Sequence, residues 1–265
     1  YDAAINVTTG KVSTFIGAQA GDAVTTANSN VAVGYASLGA ETTGANNTAI
    51  GTYTLFTQNV DGGTNVRNTG VGYQAGYAIT SGVQNTIVGA YAGDALTDAD
   101  YNVAVGVDAL TADTLGSKST AIGYQALTAQ NFTTATDSLN TAVGYQAGTN
   151  VTTGIDNVLI DTGCADAMTD ADYNTAVGAY SLSGDTMGSK STAIGFGALS
   201  TQNFSTATDS HNTGVGYLAG EDVTTGQYNT VIGSLAGDAI SSGEDNVAVG
   251  YGALTTEDTG KNSVA

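Results

Sequence analysis

The sequence contains no proline and no tryptophan, and cysteine and histidine occur once each, as Cys164 and His211. Proline deletes a backbone N–H donor, so a chain without it suits a structure that is hydrogen-bonded ladder from end to end. A single cysteine excludes an intrachain disulfide. A single histidine, in a stretch with no evident nucleophile to activate, excludes a His-based triad and a His-rich metal site. Aromatic residues make up 7% of the chain and charged residues 11%, too little bulk for a thick globular core. Yet 41% of the residues are apolar and evenly spread, which is not the composition of a disordered chain. Basic residues number 5 against 24 acidic ones, a formal charge of −19. Such a field keeps a repetitive surface soluble and repels phosphate backbones and anionic bilayers, so no nucleic acid is expected as a partner. No stretch is long or apolar enough to span a bilayer as a helix and none reads as a signal peptide, so no membrane insertion is expected of this segment.

What the chain has in quantity is one phrase, rewritten. "NTAVGYQAG" stands at 140–148, "STAIGYQAL" at 119–127 and "NTGVGYLAG" at 212–220. Aligned on the glycine that follows Val or Ile, the phrase has fourteen anchors from Gly17 to Gly250, with Asp161 in place of the ninth glycine. Successive anchors are seventeen places apart, except that a gap of twenty-one recurs at every fourth step, and four coils together make a superperiod of seventy-two. The longer echo is nearly literal: "TDADYN" at 97–102 returns at 169–174, and "GSKSTAIG" at 116–123 returns at 188–195. A fixed period of this kind is the signature of a repeat architecture.

Each place in the repeat has its own chemistry. Val or Ile always precedes the anchor, and the third residue after it is always Ala, Ser, Thr or Cys. Four places before the anchor stands Asn, or Ser at Ser13, Ser119 and Ser191. Two coil types follow. In one, Gly or Ala stands four after the anchor and an aliphatic residue seven after, as in Val24, Ile79 and Leu96; in the other, Leu stands four after and Glu, Asp or Gln seven after, from Glu41 to Glu257. Each coil thus receives one further large aliphatic side chain at one of two corners, as a stacked core of fixed cross-section requires.

Seventeen residues are too few for a helix pair, and the alternation in "NTAVG" is that of a strand. The predicted fold is all-β, a parallel β-solenoid in which the N–H and C=O groups of each coil pair with the coils above and below. Residues 1–265 read as a single continuous repeat segment, and the break at "KNSVA" within the repeat leads us to expect a fragment of a longer chain. The Asn row is expected to form a ladder of amides along the stack. The anchor glycine is expected at positive φ, with Asp161 as an exception that Asp tolerates. In "T-A-V-G" the Thr and Val face one way and the Ala and Gly the other, and neither side is charged. The strand is therefore expected to be buried on both sides, the small-residue side against another copy of the chain.

The repeats "NTAVGYQAG", "NVAVGYGAL" (246–254) and "KNSVA" (261–265) resemble the repeats of trimeric autotransporter adhesin heads, and most closely the seventeen-residue repeats of bacteriophage tail-fibre proteins. The resemblance covers nearly the whole chain; the longer coils and "NVLID" (157–161) depart from it. It implies a left-handed β-roll, three chains side by side as a homotrimer, and an exposed fibre that meets a host or cell-surface receptor such as a glycan. The expected place is then a virion surface, or the extracellular or cell surface if the chain is instead a bacterial adhesin head or filament. Ice binding by the Thr file at 48, 69, 86, 120 and 141 is a weaker reading, for want of a paired T-x-T array. No enzyme is expected, since no pair of carboxylates is seen that would line a groove.

Few residues stand out as sites. Asp98, Asp100 and Asn102, repeated as Asp170, Asp172 and Asn174, have the spacing of the first half of a calcium loop, but the Gly and distal Glu of that loop are missing. Calcium at the four aspartates is therefore set beside a solvated acidic turn, and no other cofactor is expected. Cys164 occupies the small core place of its coil, as filler. The long-coil loops at 56–67, 128–139 and 200–211 carry Phe56, Phe132 and Phe204, either as receptor contacts or as braces.

Overall fold

The computed structural model describes residues 2–63, 65–256 and 258–265, so Glu257, the last of the expected polar corner residues, lies outside it. Regular structure among the described residues is entirely strand, and no helix is long and apolar enough to cross a membrane. The chain forms two units, Tyr1–Asp137 and Ser138–Ala265, each a parallel β-solenoid of seven coils.

In the first unit the coil strands are Thr14–Ile16, Val31–Val33, Thr48–Ile50, Thr69–Val71, Thr86–Val88, Val103–Val105 and Thr120–Ile122. In the second they are Thr141–Val143, Val158–Ile160, Thr175–Val177, Thr192–Ile194, Thr213–Val215, Thr230–Ile232 and Val247–Val249. Neighbours within each unit pair in parallel with no slip: Val31 faces Thr48 across a short coil, and Thr48 faces Thr69 across a long one. The four extra residues are accommodated outside the stack. In the two later long coils they end in a small strand pair, Gly116–Ser117 with Thr136–Asp137 and Gly188–Ser189 with Thr208–Asp209.

The anchor glycine answers two demands. Gly34 and Gly178 have φ of 130° and 126°, as the reading of positive φ required. Its neighbour in the stack is the second demand, because a Cβ on Gly17, Gly34, Gly72, Gly178 or Gly216 would lie 2.5 to 2.7 Å from the carbonyl oxygen of the next anchor. Asp161 keeps the left-handed backbone, at φ 108°, and its Oδ1 accepts the N–H of Thr162 at 2.7 Å. Other corners use non-glycine residues in the left-handed region, among them Leu38, Leu110 and Leu182 at φ of 51° to 55°. That conformation costs an L-residue about 1–2 kcal/mol, and the complete burial of these leucines offsets it.

The sidedness of the strands overturns one expectation. The small middle residue points inward and is wholly buried, as at Ala32, Ala49 and Ala104 in one unit and Ala142, Ala176 and Ala193 in the other. Thr and Val or Ile point outward, with Ile50 at 40% and Ile194 at 40% exposure. The reason is volume: the coil interior already receives an aliphatic side chain from a corner and an amide from the Asn row, which leaves room for a methyl group. Where the fourth place after the anchor is small, as at Gly93, Ala165 and Gly237, the middle residue grows, to Ile87, Leu159 and Val231; where a leucine of the preceding coil intrudes, it shrinks to Gly70 over Leu55 and Gly214 over Leu199.

The Asn ladder is present in altered form. Most amide groups bond to backbone: Asn30 and Asn102 donate through Nδ2 to the carbonyls of Gly44 and Gly116 at 2.9 Å, while each Oδ1 accepts an N–H from the next coil, as in Asn47 N–H to Asn30 at 2.8 Å. Amide-to-amide bonds along the row join Asn85 to Asn68, at 3.4 Å, and Asn157 to Asn140, at 3.2 Å, while Asn68 and Asn212 also donate to the amide oxygens of Gln58 and Gln202 at 2.8 Å.

Candidate functional site

Two arrangements carry the chemistry of this molecule: an outward strip that repeats on every coil, and a buried polar corner that recurs with the long coils. The strip is made by the residue before the anchor and the one or two residues after it. In the first unit the exposed row of Ile50 and Ile122 runs beside Tyr35, Tyr73, Tyr91 and Tyr124, whose exposures span 40% to 44%. In the second, Ile160, Ile194 and Ile232 run beside Tyr145, Tyr180, Phe196 and Tyr217. Rings from successive coils touch: Tyr35 and Tyr53 meet edge to face at 5.3 Å, and Phe196 stacks on Tyr217 at 5.6 Å. Branched aliphatic and aromatic side chains held in line and left open to water form a surface suited to association, since single exposed apolar residues are ordinary and contiguous ones are not.

The polar corner was not singled out from the sequence. The acid seven places after one anchor pairs with the Gln seven places after the next: Gln58 donates to Glu41 at 2.9 Å, Gln130 to Asp113 at 2.5 Å, and Gln202 to Asp185. The same carboxylates accept backbone N–H groups from both coils. Gly116 and Phe132 bond Asp113 at 3.0 and 3.1 Å, and Gly188 and Phe204 bond Asp185 at 2.9 and 3.3 Å. All of these acids and amides are fully buried. Burial pushes the carboxyls of Asp113 and Asp185 above their ordinary range, against the opposing pull of the Gln and backbone donors. The sequence signal was an acid followed one short coil later by Gln, with a four-residue insertion after it.

The residues singled out from the sequence are placed as follows. Asp98 accepts from the Ser81 hydroxyl at 2.7 Å and Asp100 from the Val83 N–H at 2.8 Å; Asp170 and Asp172 make the equivalent bonds to Thr153 and Ile155. Each aspartate thus reaches back to the preceding coil, and among the described residues no group of three or more His, Cys, Asp or Glu is placed to hold a metal ion. Cys164 is buried, with Sγ 3.1 Å from the Ala176 carbonyl oxygen, and burial raises its thiol to about 11, the state of an inert filler. His211 stacks on Tyr228 with ring centres 5.2 Å apart.

The three phenylalanines do not form one class. Phe132 and Phe204 stand nine places after their anchors and are only 6% and 5% exposed, plugging the corner beside Asp113 and Asp185, which leaves them little surface for a receptor. Phe56 stands five places after its anchor and is half-buried, stacked on Tyr77 at 5.5 Å. Grouping them by loop rather than by distance from the anchor hid that difference.

No protein-family model matches the chain, and no curated protein matches it.

Proposed function

We propose that this chain is a structural segment of an extended fibre with an attachment role, most simply a bacteriophage tail fibre exposed on the virion surface, and that it works as a homotrimer and not as an enzyme. One observation carries the reading: the coils keep their interiors filled, by a small or aliphatic middle residue, the Asn or Ser row and a corner side chain, yet leave Ile50, Ile122, Ile160, Ile194 and Ile232 in a row outside beside exposed rings such as Tyr73 and Tyr217. A chain that stood alone would gain by making that line polar, so its occupant is another apolar line, and a second and third copy of the same chain supply one in register. The stacked coils add length by repetition, since each coil needs only its neighbours. The open face of such an assembly is the part that meets a host receptor, a glycan among the candidates.

Analytical ultracentrifugation tests the reading. The expected species has three times the 26.2 kDa mass of the chain, and Ile122→Lys together with Ile194→Lys disperses it while the β-type circular dichroism persists. A wild-type chain that sediments as a monomer at micromolar concentration overturns it.

A further inference from the structure

The loop of the first long coil has a chemistry that the two later ones lack. Ten places after the anchor Gly51 begins the run Asp61, Gly62 and Gly63, where the later long coils carry Thr133, Thr134 and Ala135, and Ser205, Thr206 and Ala207. The sequence has no other Asp-Gly step and no Asn-Gly step. Asp61 and both glycines are exposed. Gly62 and Gly63 have φ of 89° and 67°, and a Cβ on either would meet nothing within 4 Å, so backbone direction and not crowding calls for glycine here.

The loop is held on both sides of the bond between Asp61 and Gly62, but not at it. Thr43, one coil earlier, donates its hydroxyl to the Val60 carbonyl at 3.0 Å and accepts the Gly63 N–H at 3.3 Å. Further on, the Asn46 amide donates to Asn65 Oδ1 at 2.6 Å, and Asn65 pairs in parallel with Ala45. Between these holds, among the described residues, the Asp61 carboxylate has no donor and the Gly62 N–H has no acceptor. Comparable steps are tied down. After Asp209, whose carboxylate pairs with Lys190, the Ser210 N–H donates to the Ser189 carbonyl at 2.9 Å. After Asn28 the Ser29 N–H donates to the Lys11 carbonyl at 3.0 Å, and after Asn262 the Ser263 N–H donates to Asn246 Oδ1 at 2.9 Å.

We propose that Asp61 is a self-modification site, where the main chain rearranges to a β-linked, isoaspartyl residue. The Gly62 nitrogen attacks Cγ of the protonated Asp61 carboxyl. A C–N bond forms, the bond from Cγ to the hydroxyl oxygen breaks, and the hydroxyl leaves with the Gly62 amide hydrogen as water. The product is a five-membered imide. Water then adds to the imide at the former Asp61 main-chain carbonyl and breaks its bond to nitrogen, which leaves the chain running through Cβ and Cγ and that carbonyl carbon as a free carboxylate. One water is lost and one regained, and nothing is oxidised or reduced. Ring closure between groups adjacent in the chain replaces a bimolecular encounter, and glycine sets no side chain beside the attacking nitrogen. The rearrangement adds one carbon to the main chain. A long coil tolerates it, because the loop lies outside the stack and Thr48 faces Thr69 regardless of what the loop contains. The first long coil therefore carries a surface segment that changes shape as the molecule ages while the ladder stays whole. The chemistry is the same whether the chain stands alone or in a trimer.

Ageing the full chain in warm, mildly acidic buffer made with heavy-oxygen water tests it, followed by tryptic digestion in ordinary water and fragmentation of the peptide that ends at Arg67. Expected is heavy oxygen at Asp61, together with a second form of that peptide, unchanged in sequence but separate in chromatography. It should accumulate at a rate within about tenfold of that in a synthetic peptide of residues 56–67. Asp137 and Asp209 stay unlabelled. Gly62→Val slows labelling by about tenfold or more, because a β-branched side chain crowds the nitrogen. Asp61→Glu abolishes it, and the aged wild-type chain keeps its β-type circular dichroism and its melting temperature. No label at Asp61, labelling of Asp137 and Asp209 as fast as that of Asp61, or ageing that lowers the melting temperature overturns the proposal.

Discussion

The long coils anchored at Gly51 and Gly195 carry the same four-residue insertion and fit it differently. At Gly195 the insertion is locked. Phe204 fills the corner, Asp185 gathers Gln202, Gly188 and Phe204, Lys190 pairs with Asp209, and Ser191 stands where other coils carry the ladder asparagine. The coil anchored at Gly123 in the first unit repeats the set with Phe132, Asp113, Lys118 and Ser119. At Gly51 the acid and amide are present as Glu41 and Gln58, but Val60 takes the place of the phenylalanine and asparagine remains at Asn47. The insertion displaces the carbonyl that such an asparagine would meet in the next coil, and the buried Asn47 Nδ2 has no partner among the described residues. A serine at this place, too short to need that carbonyl, is therefore the better fit, and the first long coil lacks it. In exchange it has Phe56, half-buried and stacked on Tyr77.

The largest expected effect sets plug against no plug. Phe204→Ala should lower unfolding free energy by about 3–5 kcal/mol and Val60→Ala by about 1 kcal/mol or less, read from denaturant melts. Equal losses would show that the two corners are packed alike. Next, Asp185→Ala should cost about 3 kcal/mol, because it leaves the Gln202 amide and two buried N–H groups without an acceptor; a loss under about 1 kcal/mol would mean that water replaces the carboxylate. In the opposite direction, Asn47→Ser should stabilise the chain by about 1 kcal/mol by removing the orphaned donor, and a decrease in melting temperature would show that the asparagine is used.

Acid should sharpen the contrast further. Asp113 and Asp185 have raised carboxyl pKa values in the fold, so the native state holds their protons more tightly than the unfolded chain does. Their contribution is fully present below the ordinary carboxylate range and is lost as pH rises through the raised values, so melting temperature should climb as pH falls from neutrality toward the ordinary carboxylate range. Burial raises Asp94, Asp166 and Asp172 in the same direction. Asp113→Asn with Asp185→Asn should flatten the rise, and a wild-type chain that melts earlier at pH 5 than at 7 would contradict the assignment. The smallest effect belongs to Lys190→Ala, which should leave the melting temperature nearly unchanged, since both ends of its ion pair with Asp209 are well exposed.

The legible part of this fold is what depends on period. Spacing alone gives the coil, the strand within it and the compensating corners at Leu38 or Val24, because a stack repeats its requirements at fixed intervals. Sidedness was not legible in the same way. Alternation says that Ala49 and Ile50 face opposite sides, and since both are apolar, hydrophobicity does not say which is inside; only the enclosed volume does, and that appears once the corners are in place. The candidate sites suffered from the same limit. Asp98 and Asp100 look like metal ligands when read along the chain, yet their partners Ser81 and Val83 sit one coil earlier, a neighbour that spacing alone did not bring into view. Phe132 and Phe56 became distinguishable when each was counted from its anchor.

Thr48 faces Thr69 as squarely as Val31 faces Thr48, although the first pair is separated by a long coil and the second by a short one. Phase is therefore indifferent to what is inserted at that one corner, and an in-frame crossover between the two copies of "TDADYN" would subtract a whole block and leave every surviving strand opposite a strand. Length in such a chain is a heritable quantity that drifts in quanta, and the bulge at every fourth step is the place where new surface can be added without disturbing the count.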